Sequence, residues 1–355
     1  MPVSVKEVAE RAGVSVGTVS NVLNRPESVK PATVERVNQV IDELGYVPNA
    51  AARQLRAGQS TSIALVVLDV ANPFFTDVAR GVESRASESG FSVLLANSDE
   101  SVERESIYLD LFERQRVAGV LVSPIGDDLP HLLRLRSRGI PVVLVDRVSA
   151  DDRFPSVSVD DVAGGRLAAQ HLLDTGRRKL LFVGGPQKIR QVEDRLRGAR
   201  KAVDQVPGAI LEVVHTAALT LAEGRVAGEV ARARVRAGQC DAVFAANDLL
   251  AIGMQQSMLG GPDAIRIPAD VALVGYDDIS FAAAAVVPVT SVRQPSGLIG
   301  ATAVDLLLAE KDLGVDDRRQ HIEFQPELVV RESSAARPES TRHGTATAQL
   351  TPDGT

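Results

Sequence analysis

Over the first forty-five positions apolar residues recur with the period of amphipathic helices, and beyond position 60 the pattern changes to short continuous apolar runs. Val5, Val8, Ala9 and Ala12 stand at i, i+3, i+4 and i+7, which places them on one helical face. Ser4 and Glu7 have the spacing of a capping box, in which two side chains satisfy each other's free backbone N–H groups, and Gly13 provides a stop. Ser15 is a suitable N-cap for a second helix with Val19, Val22 and Leu23 inward. A third helix is predicted over Ala32 to Leu44, with Val34, Val37, Val40, Ile41 and Leu44 inward and Gly45 as its end. Two short helices joined by a tight turn are the arrangement of a helix-turn-helix. Periodicity alone leaves a purely structural three-helix bundle as the alternative.

At about 100° per residue, Gly17, Asn21 and Asn24 lie opposite the inward stripe of the second helix. Thr18 and Ser20 flank them, and Val16 projects from the N-terminal end. Such a small, polar face suits a groove. Glycine costs about 1 kcal/mol relative to alanine inside a helix, less near its start, and its missing side chain permits close backbone approach.

After Gly58-Gln59-Ser60-Thr61, the runs SIALVVLD, FSVLLAN, VAGVLVSP and IPVVLVD read as strands, separated by stretches that can carry helices. A second series follows in KLLFVGG, AILEVVH, CDAVFAAND and DVALVGYDD. Two successive series of this kind predict two parallel-sheet lobes, with a ligand site in the cleft between them, at the C-terminal ends of the strands. The fold class is therefore an all-α helix-turn-helix head followed by a two-lobed α/β domain. The expected boundaries are 1–48 for the head, 49–61 for a hinge and linker, 62–332 for the two lobes and 333–355 for a disordered tail rich in Ser, Thr, Ala and Pro.

With 355 residues, 45% of them hydrophobic and 24% charged, the chain can bury ordinary globular cores. A net charge of -7 runs against nucleic-acid binding, because phosphate contacts need Lys and Arg. Residues 1 to 60 hold seven Lys/Arg and six Asp/Glu, hence +1, so any DNA affinity must come from local placement. One cysteine, Cys240, excludes an intramolecular disulfide framework, and five scattered His suggest no metal site. Without an apolar leader or a span-length apolar stretch, a cytoplasmic protein is expected. No G-x-G-x-x-G follows a strand and no phosphate-loop motif occurs, so neither a nucleotide cofactor nor an enzyme is expected. A cytoplasmic ligand-binding or enzymatic α/β protein with a helical bundle at its start is the competing reading.

The run Val5 to Asn24, in the pattern V-x-x-V-A-x-x-A-G-V-S-x-x-T-V-S-x-V-L-N, then Gly45-Tyr46-Val47-Pro48-Asn49 and Ala52-Arg53-x-Leu55, closely resembles the head and hinge of the LacI/GalR family of bacterial repressors. The resemblance implies a recognition helix in the major groove, reading bases through Val16, Gly17 and Asn21. It implies backbone contacts from Ser15, Thr18, Ser20 and Asn24, which fix register without carrying sequence information. It further implies a hinge helix bearing Asn49, Ala52, Arg53, Leu55 and Arg56, ordered when two copies meet over the minor groove, with Leu55 as the wedge between base steps.

The rest of the chain resembles the same family's periplasmic-sugar-binding-like domain through Asn72-Pro73-Phe74-Phe75, Asp146-Arg147, Asp194-Arg195-x-x-Gly198, Ala246-Asn247-Asp248 and Val274-Gly275-Tyr276-Asp277-Asp278. By that resemblance Asp146, Arg195, Asn247 and Asp277 hold an effector, Phe74 and Phe75 line the pocket mouth, and Asp69 and Gln294 are further candidates. Leu219 stands where many relatives have an aromatic ring that stacks on a sugar or purine face, which argues against a purine, and the resemblance leaves a sugar or sugar derivative as the commonest effector. The implied assembly is a homodimer on a pseudo-palindromic double-stranded operator.

Overall fold

The structure is a computed structural model that describes residues 3–46, 60–126, 129–149, 153–261, 263–312 and 320–335. The expected hinge residues Asn49, Ala52, Arg53, Leu55 and Arg56 lie outside the described residues, as do positions 336–355. The chain divides into two compact units, Met1–Thr61 and Ser62–Thr355.

In the smaller unit α1 spans Val5–Ala12, α2 Val16–Asn24 and α3 Pro31–Leu44, with a 3-10 turn at Pro26–Ser28. The capping box forms as the sequence implied: Ser4 N donates to Glu7 Oε2 over 2.6 Å and Glu7 N to Ser4 Oγ over 3.3 Å. Gly13 and Gly45 end their helices in the left-handed conformation. The third helix starts one residue before its expected start, since Pro31 occupies the first turn, where its missing N–H has no partner to lose. Val8, Ala9, Ala12, Val19, Val22, Val37 and Val40 are buried together. Val34, Leu23, Ile41 and Leu44 are half-buried around them, and so is Val16, whose side chain belongs partly to this core rather than projecting free.

The larger unit holds two six-stranded sheets. The first has the order β11-β5-β4-β3-β1-β2, from Ser62–Val67 (β1), Ser92–Asn97 (β2), Gly119–Val122 (β3), Val142–Val145 (β4), Ser156–Val159 (β5) and His321–Phe324 (β11). The second has the order β12-β10-β9-β8-β6-β7, from Lys179–Gly184 (β6), Ile210–His215 (β7), Ala242–Ala245 (β8), Ala272–Asp277 (β9), Thr290–Arg293 (β10) and Glu327–Val329 (β12). All pairings are parallel except β10 with β12. Eight of these strands coincide with the eight expected runs. The chain is less neatly divided than two successive series, however, because the first sheet borrows β11 and the second takes β12 from the C-terminal stretch.

The helices that matter for the cleft are α4 (Pro73–Glu88), α7 (Asp161–Asp174), α8 (Arg190–Val203) and α10 (Asp248–Leu259), counted after α5 (Val102–Gln115) and α6 (Pro130–Ser137) and around α9 (Leu221–Arg236). Two more follow, α11 (Ser280–Ala283) and α12 (Ser296–Asp312), and α12 returns to pack on α4 in the first lobe. Helices α7 and α8 approach unusually closely: a Cβ on Gly165 would lie 2.0 Å from the Arg195 carbonyl oxygen, and one on Gly198 2.0 Å from that of Val162. Glycine is therefore required at both crossings. The packed body also runs past its expected end, since Ser333 and Ser334 are buried and Ser333 Oγ donates to the Leu273 carbonyl over 2.5 Å. Among the described residues no helix is long and apolar enough to cross a membrane.

Candidate functional site

Two surfaces bring together the residues the sequence singled out. The first is the outer face of α2. Ser15 caps the helix, accepting from Thr18 N over 3.0 Å, and its hydroxyl lies 2.9 Å from that of Thr18. Asn24 Nδ2 donates to the Ser20 carbonyl over 2.7 Å and lies 3.3 Å from Ser20 Oγ. These four polar residues are thus held in place by one another. Gly17 and Asn21 are exposed. A Cβ on Gly17 would meet only Ser15 Oγ, at an ordinary 3.6 Å, so the packing of the head does not ask for glycine there.

The second surface is the cleft between the two lobes of the larger unit. In both sheets the order reverses beside the first strand, and the loops leaving the C-terminal strand ends face the cleft, as in other open α/β folds. From the first lobe come Asp69 after β1, Asn72 at the N-cap of α4 with Phe74 and Phe75 behind it, and Asp146 after β4. From the second come Arg195 on α8, Asn247 after β8, Asp277 at the end of β9 and Gln294 after β10. Asp146 and Asp277 both have positive φ, 57° and 99°, a conformation that costs a side-chain-bearing residue on the order of 1–3 kcal/mol. Both carboxylates are thereby turned into the cleft.

Arg195 organises the floor. It is 4% exposed, its Nε donates to Asp161 Oδ1 over 2.7 Å, and its Nη1 donates to the Ala246 carbonyl over 2.7 Å. Its Nη2 lies 3.7 Å from Asp277 Oδ1, and the guanidinium carbon sits 3.6 Å over the centre of the Tyr276 ring. Asp277 Oδ1 accepts from Gln294 Nε2 over 2.8 Å, while Asp277 Oδ2 accepts from Asn72 Nδ2 over 3.1 Å, across the cleft. A second bridge runs from Gln191 Nε2 to the Asp146 carbonyl and Oδ2, over 2.5 and 2.9 Å. At the rim Lys188 Nζ reaches the Glu100 carbonyl over 2.7 Å. The lobes are therefore clasped, and the space beside Arg195 and Asp277 is about 30 Å³.

Burial dominates the electrostatics. It raises Asp146 well above the ordinary carboxylate range, helped by Asp161 and opposed by Arg195. It pushes Asp277 up to about 6 and Glu100 to about 7, the latter against the pull of Lys188. Arg195 sits among these buried acids; burial works against its charge, but Asp161 and Asp277 outweigh it and raise its pKa. Asp146 Oδ1 and Gln294 Oε1 are buried without a hydrogen-bond partner. The cleft thus offers fixed acceptors beside an oriented guanidinium, which suits a ligand rich in hydroxyl groups.

Most sequence candidates converge here. Phe74 and Phe75 are 3% and 6% exposed and meet edge to face at 5.0 Å. Asp69 lines the cavity while its Oδ1 accepts from Ala71 N over 2.9 Å. Leu219 lines the second-lobe wall. Asn247 is engaged at both ends, its Oδ1 capping α10 through Leu250 N and its Nδ2 holding the Leu219 carbonyl over 3.0 Å. Asp278 turns away from the cleft to pair with Arg293 and Arg331. Sequence reasoning missed Asn72, Gln191 and Asp161. Asn72 stood inside the quoted Asn-Pro-Phe-Phe segment; Gln191 and Asp161 carry no local signal.

Comparison with known proteins covers both units. Residues 4–49 match the family described as bacterial regulatory proteins, lacI family, and residues 169–334 a periplasmic binding protein-like domain. The ribose operon repressor of Halalkalibacterium halodurans is 34% identical over 334 residues, 93% of this chain and 97% of that protein. A solved complex of the transcriptional regulator CelR with cellobiose is 34% identical with a TM-score of 0.69, covering 93% of this chain and 99% of that one. The lac repressor dimer bound to operator and the anti-inducer ONPF superposes with a TM-score of 0.79 at 27% identity, over 95% of this chain and all of that one, 100%.

Proposed function

The chain belongs to the lacI family of bacterial regulatory proteins, and on that premise we propose that it is a homodimeric, cytoplasmic repressor whose grip on a pseudo-palindromic operator is set by a sugar held between its lobes. Relatives named for ribose and solved with cellobiose support a carbohydrate effector. The observation that carries the reading is the convergence of Asp146, Arg195 and Asp277 from both lobes onto one clasped cleft. Such a cleft has two states, and a ligand shifts their balance by its differential affinity for them. In the DNA complex Asn21 pairs with an adenine edge, Val16 reaches a thymine methyl, Gly17 admits the groove wall, and Ser15, Thr18, Ser20 and Asn24 hold phosphates. Leu55 and its neighbours Asn49, Ala52, Arg53 and Arg56 act at the minor groove between half-sites.

Relatives named as repressors and regulators support a regulatory role for the chain. The test has two steps. Purified protein selects duplexes from a random pool, and the enriched sequence should be an inverted repeat. A sugar panel is then scored for a rise in melting temperature and for a change in operator affinity. Selection without an inverted repeat, or sugars that stabilise the protein yet leave DNA affinity unchanged, would refute the proposal.

A further inference from the structure

We infer that Asp248 is a positioning residue for the effector: buried behind the cleft, its carboxylate clamps the Asp277–Asp278 turn and so fixes the direction in which Asp277 meets the sugar. The inference rests on the reading above in which Asp277 contacts the effector. Asp248 is the first residue of α10, next to the cap residue Asn247; it is 0% exposed and is not among the residues lining the cleft. Its Oδ2 accepts from Ile279 N over 2.9 Å, and its Oδ1 accepts from Ser291 Oγ over 2.7 Å. Ser291 Oγ in turn accepts from Asp278 N over 3.0 Å. The two N–H groups that follow Asp277 therefore both lead back to this one carboxylate. The turn needs such a hold, since Asp277 and Asp278 have φ of 99° and 53°, and side-chain-bearing residues stay in that region only where their surroundings over-determine them.

Gly275 shows that the hollow is shaped for the carboxylate. Its φ lies outside the left-handed region, so the backbone does not ask for glycine there, and glycine inside a strand weakens it. A Cβ on Gly275 would lie 2.1 Å from Asp248 Oδ1 and 3.2 Å from its Cγ, whereas the next neighbour, Ala251 Cβ, stands at an ordinary 3.4 Å. The missing side chain is thus the room that Asp248 occupies. Burial, with Asp277 nearby, raises Asp248 well above the ordinary carboxylate range. An apolar residue would fill the same space without that penalty, but it could not hold Ile279 N and Ser291 Oγ. The pair accounts for two residues of the Ala246-Asn247-Asp248 and Val274-Gly275-Tyr276-Asp277-Asp278 segments that have no place among the cleft-lining residues.

The test uses the full chain, titrated calorimetrically with D-ribose and with cellobiose well below the melting temperature of each variant. Asp248→Asn keeps an acceptor for Ile279 N and offers an amide to the Ser291 hydroxyl, which can accept as well as donate, so it should bind within about twofold of wild type. Asp248→Ala should lose about tenfold or more for whichever sugar binds. A crystal structure of Asp248→Ala without sugar should show Asp277 out of its positive-φ conformation and its hydrogen bond to Asn72 broken. The glycine is tested by melting alone. Gly275→Ala should melt several degrees below wild type through the clash with Asp248, and adding it to Asp248→Ala should lower the melting temperature no further, because the methyl then fills the hollow. An Asp248→Ala chain that retains the Asp277 conformation, or binds sugar as tightly as wild type, would overturn the inference. Equal losses of affinity in Asp248→Asn and Asp248→Ala would also overturn it, leaving Asp248 a purely structural residue. If the wild-type chain binds neither sugar, the effector reading fails for both, and the unliganded crystal structure alone decides whether Asp248 holds the turn.

Discussion

Asn72 and Asp277 lie 205 positions apart in the chain, yet the Asn72 amide donates to the Asp277 carboxylate across the cleft over 3.1 Å. Each has a second task. Asn72 Oδ1 caps α4 through Phe74 N over 3.1 Å, and Asp277 Oδ1 receives Gln294. The contact therefore ties the start of a first-lobe helix to the end of a second-lobe strand. On the proposed reading a sugar entering the cleft replaces this hydrogen bond, so that lobe closure and ligand occupancy compete for the same atoms.

Removing the amide alone should separate the two effects. Asn72→Ala is expected to cost about 1 kcal/mol through the lost cap and to shift the unliganded chain toward open lobes. Small-angle scattering should show a larger radius of gyration than wild type without sugar, converging to the wild-type value at saturation. Identical scattering curves without sugar would mean that the contact does not hold the lobes.

Arg195 owes its position to two glycines. The carbonyl oxygens that a Cβ would strike at Gly165 and Gly198 belong to helix backbones, which cannot rotate aside. Gly198→Ala should destabilise the chain by roughly 2–4 kcal/mol through overpacking and push α8 away from α7. Because Asp161 and Arg195 face each other across that crossing, sugar affinity should fall tenfold or more in whatever protein remains folded. A melting temperature within a degree of wild type would contradict this account of the close approach.

The head was legible because its signals are local: a capping box, two glycine stops and a 3.6-residue apolar period each act within a turn or two of chain. The eight expected strands were legible for a similar reason, as continuous apolar runs. The strand Ser156–Val159 was not, because Ser-Val-Ser-Val alternates like a surface strand, whereas Ser156 and Ser158 are 1% and 4% exposed in a strand paired on both sides. His321–Phe324 and Glu327–Val329 are too short and polar to announce themselves, and they take their structure from the strands already present. In the cleft, the acids at strand ends could be named from the chain, but Gln191 could not. Its role depends on a neighbour 45 positions away on the other lobe.

Buried acids should leave a mark on stability. Glu105, 7% exposed, accepts from Ile125 N over 3.0 Å, and burial raises it to about 7 despite that bond and the nearby Arg147. Its folded pKa exceeds the unfolded one, so the folded chain binds more protons between about 4.5 and 7, and its stability falls as pH rises through that window. Glu100 and Asp277 act in the same direction, near 7 and 6. The melting temperature should therefore be higher at pH 6 than at pH 8. Glu105→Gln, which keeps the acceptor and removes the charge, should raise it at pH 8 by the equivalent of about 1–3 kcal/mol and flatten the profile. A profile that rises from pH 6 to 8 would reverse the sign of the argument.

Gly17 sets stability against recognition. A methyl group there meets nothing closer than 3.6 Å within the head, and alanine is the better helix former, so Gly17→Ala should stabilise the isolated fold by a few tenths to about 1 kcal/mol. The same methyl stands on the exposed face beside Asn21, where on the proposed reading the groove wall comes close, and operator affinity should fall by tenfold or more. Asn21→Ala should behave differently, leaving the fold unchanged and relaxing base preference at one position of each half-site. Melting curves together with fluorescence anisotropy on the selected operator distinguish the cases. A Gly17→Ala protein that melts higher and binds as tightly as wild type would show that α2 does not approach DNA through this face, and would remove the reason for a glycine that the packing of the head does not need.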